Sequence, residues 1–221
     1  TAGIYLIDED ISATLMCDRA AMALHSVKGN YSKRAALYRP SMKQKLENEQ
    51  EVLSGVKSGL SGSEFEVYYQ PQCSARTHRI IGAEALVRWN HPRKGMVAPN
   101  EFIPLLEASG FVSKLDYYVW ESVCSFLQRR KKAGKQIVPV SVNVSRIDIY
   151  QYPIADVFAS LCRKYDLEPA FLEIEITESA YTENFDQLIQ TVSQLRANGF
   201  TVLMDDFGSG YSSLNMLTDI E

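Results

Sequence analysis

Paired cysteines are missing from this sequence. Cys17, Cys73, Cys124 and Cys162 are the only four, they lie far apart, and neither a C-x-x-C pair nor a Cys/His run of zinc-binding type occurs. That excludes a disulfide scaffold or a small zinc module and leaves reduced thiols, as in a cytoplasmic protein. No apolar run approaches the ~20 residues that cross a bilayer, and the amino terminus lacks a basic-then-apolar signal. The expectation is a cytoplasmic chain with no membrane segment of its own, whatever a longer parent carries elsewhere. Positive charge is in short supply too: 23 Lys and Arg stand against 27 Asp and Glu, a net charge of -4. No general basic surface exists to attract polymeric nucleic acid or anionic lipid, so a phosphate-bearing ligand must be caught by a few local groups.

What the sequence does have is apolar material for a large core, 46% of its 221 residues. The first 40 residues offer a short strand (3–7) and a helix with Met16, Ala20, Ala23, Leu24 and Val27 in 3,4-spacing. This piece buries too little to be a domain. Residues 41–62 read as an exposed linker helix loosened by Gly55, Gly59 and Gly62. From residue 63 the pattern changes. Strands at 66–72 and 80–89 are close enough to form a hairpin. Two helices follow, opening at Asn100 and Ser113 and ending at Gly110 and Gly134. Then strand and helix alternate: VPVSVNVS, PIADVFASLCRKY, FLEIEITES, FDQLIQTVSQLRANG, FTVLMDDFG. Repeated β-α-β units predict an α/β fold with a parallel sheet, and a TIM-like (β/α) barrel is its closed form.

The strands break one rule of such a barrel. Successive side chains alternate between the helix-facing side and the interior, and both sides are ordinarily apolar. Here Val140, Val142 and Val144 share one face while Ser141, Asn143 and Ser145 share the other; Ile174 and Ile176 oppose Glu173 and Glu175. The same period groups Glu84, Leu86 and Arg88, and Asp205 begins an Asp-Asp pair at a strand's carboxyl end. With the valines and isoleucines toward the helices, Glu84, Asn143, Glu175 and Asp205 converge on the barrel mouth. Uncompensated carboxylates there cost several kcal/mol each. Four oxygen donors without His or Cys suit Mg2+ or Mn2+ more than Zn2+. A lone Glu or an Asp-Asp pair is ordinarily a solvated edge or a turn cap. Four at matching depth in successive strands point to a site.

These residues also carry a resemblance. EALVRW (84–89), FIPLLEASG (102–110), SVNVS (141–145), EIEITES (173–179) and DDFGSGYSSL (205–214) resemble, in order and spacing, the EAL domains that linearise cyclic di-GMP to pGpG. The resemblance implies an EAL-type barrel over 63–221, with two Mg2+ or Mn2+ ions. It implies Glu84, Asn143, Glu175, Asp205 and Asp206 as metal ligands, with Glu84, Asp205 and Asp206 central to catalysis. It places Gln70, Leu86, Arg88 and Asp116 against cyclic di-GMP, and has Glu178 brace the 205–214 loop, through which the family contacts a second copy. A guanidinium fork takes phosphate bidentately, which independently suits Arg88. Residues 18–40 resemble the final helix and strand of a GGDEF domain, so 1–40 reads as that module's C-terminal remnant. The family continues beyond the DDFG loop with about three more of eight barrel strands and a Lys that positions water. The resemblance therefore implies a barrel incomplete at its C-terminal end and little hydrolysis by the chain alone. The alternative is a non-catalytic cyclic di-GMP receptor or scaffold.

Overall fold

The structure is a computed structural model describing residues 1–28, 33–177 and 185–205. Two compact units divide the chain, Thr1–Lys57 and Ser58–Glu221. In the first, strand β1 (Ala2–Ile4) pairs in parallel with β2 (Ala35–Leu37), and helix α1 (Ala13–His25) lies between them in sequence. Ser12 caps α1 by accepting from the Leu15 amide. Strand and helix approach so closely that a Cβ on Gly3 would sit 1.9 Å from the Ala20 carbonyl oxygen, so only glycine fits there. The strand expected over residues 3–7 ends at Ile4, and Leu6 and Ile7 are exposed. Helix α2 (Pro40–Ser61) follows where the linker helix was expected.

In the second unit, β3 (Phe65–Cys73) and β4 (Ile80–His91) form the expected antiparallel hairpin, and a short β5 (Gly95–Val97) pairs with β4. Strands β6 (Val140–Val144), β7 (Leu172–Thr177) and β8 (Thr201–Asp205) then add in parallel, in the order β3-β4-β6-β7-β8. Among the described residues the sheet is open. Helices α3 (Pro99–Ser109) and α4 (Val112–Lys132) precede β6; α5 (Arg146–Gln151) and α6 (Ile154–Tyr165) connect β6 to β7; α7 (Phe185–Ala197) leads into β8. Alternating strands and helices thus make the predicted α/β layers, with a parallel sheet in most of its length.

Periodicity decides the core. Val140, Val142 and Val144 pair in register with Leu172, Ile174 and Ile176, and all six are buried. Over that apolar sheet face lie the 3,4-spaced residues Val119, Val123 and Leu127 of α4, Phe158 and Leu161 of α6, and Leu188 and Leu195 of α7. Phe158 joins the layers, its ring 4.7 Å from Trp120 and 5.9 Å from Phe200. A second cluster stacks Phe65 on Trp89 at 5.4 Å with Phe102 edge-on to both. The Tyr118 hydroxyl donates to the Phe65 carbonyl at 2.8 Å, tying α4 to the start of β3.

Two helix starts differ from expectation. Ala98 and Phe111, without capping side chains, occupy the cap positions, so Asn100 and Ser113 fall inside the first turns. In α3 the Glu101 carboxylate reaches back and accepts from the Ala98 amide, the N3 half of a capping box. The glycine stops hold: Gly110 and Gly134 are left-handed, with φ 71° and 65°.

Replacing Phe158 with alanine leaves a cavity between sheet and helices. The expected loss of stability is about 3 to 5 kcal/mol, read as a lower urea midpoint with an unchanged m-value.

Candidate functional site

On the sheet face opposite the valines, register sets the depth of each polar group. Glu84 pairs with Ser141, and Asn143, two residues on, pairs with Glu175. Leu203 is the partner of Glu175, and Asp205 stands two residues beyond it. With a period of two, Glu84, Asn143, Glu175 and Asp205 share one face. The Asn143 side-chain amide donates to Glu84 Oε1 at 3.5 Å. On its other side, Asn143 is fixed by its backbone: the Trp120 indole N–H donates to the Asn143 carbonyl at 3.0 Å.

Negative charge accumulates on this face. Burial pushes the Glu175 carboxyl above its ordinary 4.5, and the nearby carboxylates of Glu84, Asp205 and Glu173 add to that shift. Burial alone raises Glu173 in the same direction. Among the described residues no three His, Cys, Asp or Glu side chains are gathered into a ready-made cation site. Glu84, Asn143, Glu175 and Asp205 are nevertheless the oxygen donors the fold brings to one face. Gln70 lies directly across from Glu84 on β3 and is exposed. Glu178 and Asp206 fall outside the described residues, as does the loop from 206 on.

Beside this face opens a cleft of about 690 Å³. Its walls include Leu86 and Arg88 of β4, Pro104 and Glu107 of α3, Asp116 of α4, and Asn143, Ser145 and Arg146 around the end of β6. Four residues proposed from sequence, Leu86, Arg88, Asp116 and Asn143, therefore meet in one cavity; Gln70, Glu84, Glu175 and Asp205 lie outside its walls. The Arg88 guanidinium donates to the Val87 carbonyl at 2.8 Å and sits 5.8 Å from the Tyr68 ring centroid. Asp116 faces the cleft and not the solvent side of α4. Burial, reinforced by the neighbouring Asp148 carboxylate, pushes its carboxyl well above the usual range.

The family model for the EAL domain matches residues 54–221. The chain belongs to the EAL domain family. Among its relatives is the cyclic di-GMP phosphodiesterase NbdA of Pseudomonas aeruginosa, 32% identical over 90% of this chain and 25% of NbdA. The cyclic di-GMP phosphodiesterase RocR of the same organism is 33% identical over 76% of this chain and 42% of RocR. The solved PaMucR phosphodiesterase in complex with c-di-GMP superposes with a TM-score of 0.71 at 31% identity, covering 76% of this chain and 68% of that one. This EAL chain spans about a quarter of the length of NbdA.

Sequence reasoning missed Asp148 and Arg146 in this EAL domain because helix α5 was not anticipated. The signal was present: Ser145-Arg146-Ile147-Asp148 has capping-box spacing. Ser145 Oγ accepts from the Asp148 amide at 3.2 Å, and the Asp148 carboxylate accepts from the Ser145 amide at 3.1 Å.

The raised carboxyls give a pH prediction. A carboxyl whose folded pKa exceeds its unfolded one binds more protons in the native state, so stability falls as pH rises from the unfolded pKa through the folded one. In EDTA, Asp116, Glu173 and Glu175 contribute a decline in stability from about pH 4 upward, against the opposite contribution of Glu121, whose carboxyl the Lys164 ammonium holds below its ordinary value. Glu175→Gln should shallow that slope without abolishing it, since Glu173 and Asp116 contribute with the same sign. Urea midpoints measured across pH check this.

Proposed function

We propose that the protein containing this chain hydrolyses cyclic di-GMP to linear pGpG, using two Mg2+ or Mn2+ ions held by Glu84, Asn143, Glu175, Asp205 and Asp206. The observation that carries this reading is the inner sheet face. Glu84, Asn143, Glu175 and Asp205 share one face of the sheet, beside a cleft walled by Arg88. A buried Glu175 carboxyl that also faces the charges of Glu84 and Asp205 is a position that a divalent cation relieves, and all of these are hard oxygen ligands. When bound, the ions supply Lewis-acid stabilisation of the phosphodiester and a lowered pKa for water.

The chain's own residues do the rest. Arg88 binds a phosphate oxygen of the dinucleotide by charge-assisted hydrogen bonds. Leu86 and the apolar α3 wall give the ligand's bases a surface that excludes water. Asn143, fixed through Trp120, orients Glu84. Asp116 hydrogen-bonds the ligand within the cleft, and Gln70 contacts it beside Glu84. Glu178 braces the loop that carries Asp206. In the reaction one water oxygen bonds to phosphorus as one P–O bond to a ribose 3′ oxygen breaks. The water's proton ends on that oxygen, leaving a 5′-phosphate and a 3′-hydroxyl. The relatives named as cyclic di-GMP phosphodiesterases support this substrate. Pairing of two EAL domains through the 205–214 loop belongs to the same proposal, as does reading residues 1–40 as a GGDEF remnant.

A second reading is a cyclic di-GMP receptor without hydrolysis. Mutants of the full-length parent separate the two. Glu84→Ala should abolish pGpG release, since the interaction it removes acts chiefly on transition-state charge. Arg88→Ala should weaken cyclic di-GMP binding by about 1.5 to 3 kcal/mol, measured calorimetrically in Ca2+ to prevent turnover. Binding by wild type with no pGpG release in Mg2+ or Mn2+ would establish the receptor. Equal affinity losses in both mutants, with no separate effect on rate, would sink this division of roles.

A further inference from the structure

One buried acid lies behind the cleft wall and has no part in the scheme above. Asp148 is fully buried. Its Oδ2 accepts from the Ser145 amide at 3.1 Å and from the Ser145 hydroxyl at 2.5 Å. Its Oδ1, also inaccessible to solvent, has no donor. The carboxyl of Asp116 lies within hydrogen-bonding reach of Asp148 and lines the cleft. Two ionised carboxylates so placed repel each other, and a buried acceptor without a donor is costly. One proton held by the pair relieves both penalties. It resides on Asp116, because Asp148 already accepts from both Ser145 donors and its Oδ1 is the buried acceptor that still lacks one.

We propose that Asp148 is a positioning residue that keeps Asp116 as a neutral, hydrogen-bonding acid, so that the cleft presents Arg88 and Arg146 to an anionic phosphodiester without an opposing charge. This deepens the proposed function and rests on it. Burial opposes the ionisation of Asp116 most, then Asp148 across the pair, and Glu107 of α3 adds to both; the Ser145 side chain, by hydrogen bonding, acts in the opposite sense and is outweighed. Arg88 of β4 and Arg146 of α5 share the cleft wall. An ionised Asp116 would add negative charge to the cleft that also holds those two cations, in competition with the ligand's phosphates.

The substitution Asp148→Asn tests this, because it keeps the shape, removes the repelling charge and supplies an amide donor that favours ionised Asp116. Two readouts are needed. The first uses no ligand: carboxyl carbon shifts followed by NMR through a pH titration of labelled protein should show Asp116 losing its proton at distinctly lower pH in Asp148→Asn than in wild type. An unchanged Asp116 titration overturns the proposal whatever the ligand proves to be. The second is calorimetry with cyclic di-GMP and Ca2+ on the full-length parent. At neutral pH, Asp148→Asn should bind roughly five- to tenfold more weakly, the effect of about one added charge near a phosphate at a partly solvated wall, and should recover toward wild type as pH falls. Asp116→Asn, neutral at every pH, should remove that pH dependence, and in the Asp116→Asn background Asp148→Asn should cost no further affinity. A loss in Asp148→Asn that is independent of pH and equally large in the Asp116→Asn background would show a merely structural role and overturn the proposal. If wild type itself binds no cyclic di-GMP, the proposed function fails, and the ligand-free titration still decides the state of the pair.

Discussion

The in-register pairing of β6 with β7 is the constraint on which the remainder of this domain depends. It joins Val140, Val142 and Val144 to Leu172, Ile174 and Ile176 on one side, and Ser141 and Asn143 to Glu173 and Glu175 on the other. A slip of β7 by one residue would turn the carboxylates of Glu173 and Glu175 into the helix layer and the aliphatic side chains of Leu172, Ile174 and Ile176 toward the polar face. Burial of the aliphatic face under α4, α6 and α7 makes that slip prohibitively unfavourable. The hydrophobic layer therefore does two things at once. It stabilises the sheet, and it fixes the depth at which every polar group emerges on the far side.

Coupling between core and site runs through identifiable atoms. Trp120 packs against Phe158 in the core and donates to the Asn143 carbonyl. Tyr118, two residues earlier on α4, anchors the start of the hairpin that carries Glu84, Leu86 and Arg88. Asp116, two residues earlier still, reaches the cleft. One helix thus supplies core packing, an anchor for the hairpin and a cleft-wall acid. Membership of the EAL family gives this arrangement a context, while the electrostatics of Glu175 and Asp116 follow from burial and proximity alone.

Several features were open to reading before any coordinates. The period of two in SVNVS and EIEIT placed Asn143 and Glu175 opposite the aliphatics, and the glycines after α3 and α4 marked both helix ends. The hairpin, the parallel order and the linker helix followed from spacing. Helix starts were harder, since Ala98 and Phe111 at the cap positions carry no capping side chain. Short elements were missed: β5 has three residues and α5 six, too few to repeat a hydrophobic period.

Which residues share a face is written locally, because strand and helix periods are properties of the backbone over a few residues. Glu84, Asn143, Glu175 and Asp205 could be grouped on that basis without knowing the distance between any two of them. Only the tertiary structure decided which acids repel and which are buried. Asp116 and Asp148 are 32 positions apart in number, on different helices, and nothing in either segment shows that they meet. Their meeting depends on how α4 and α5 pack against the end of β6, where a low-dielectric interior makes the energy of a carboxyl depend on neighbours that local periodicity cannot name.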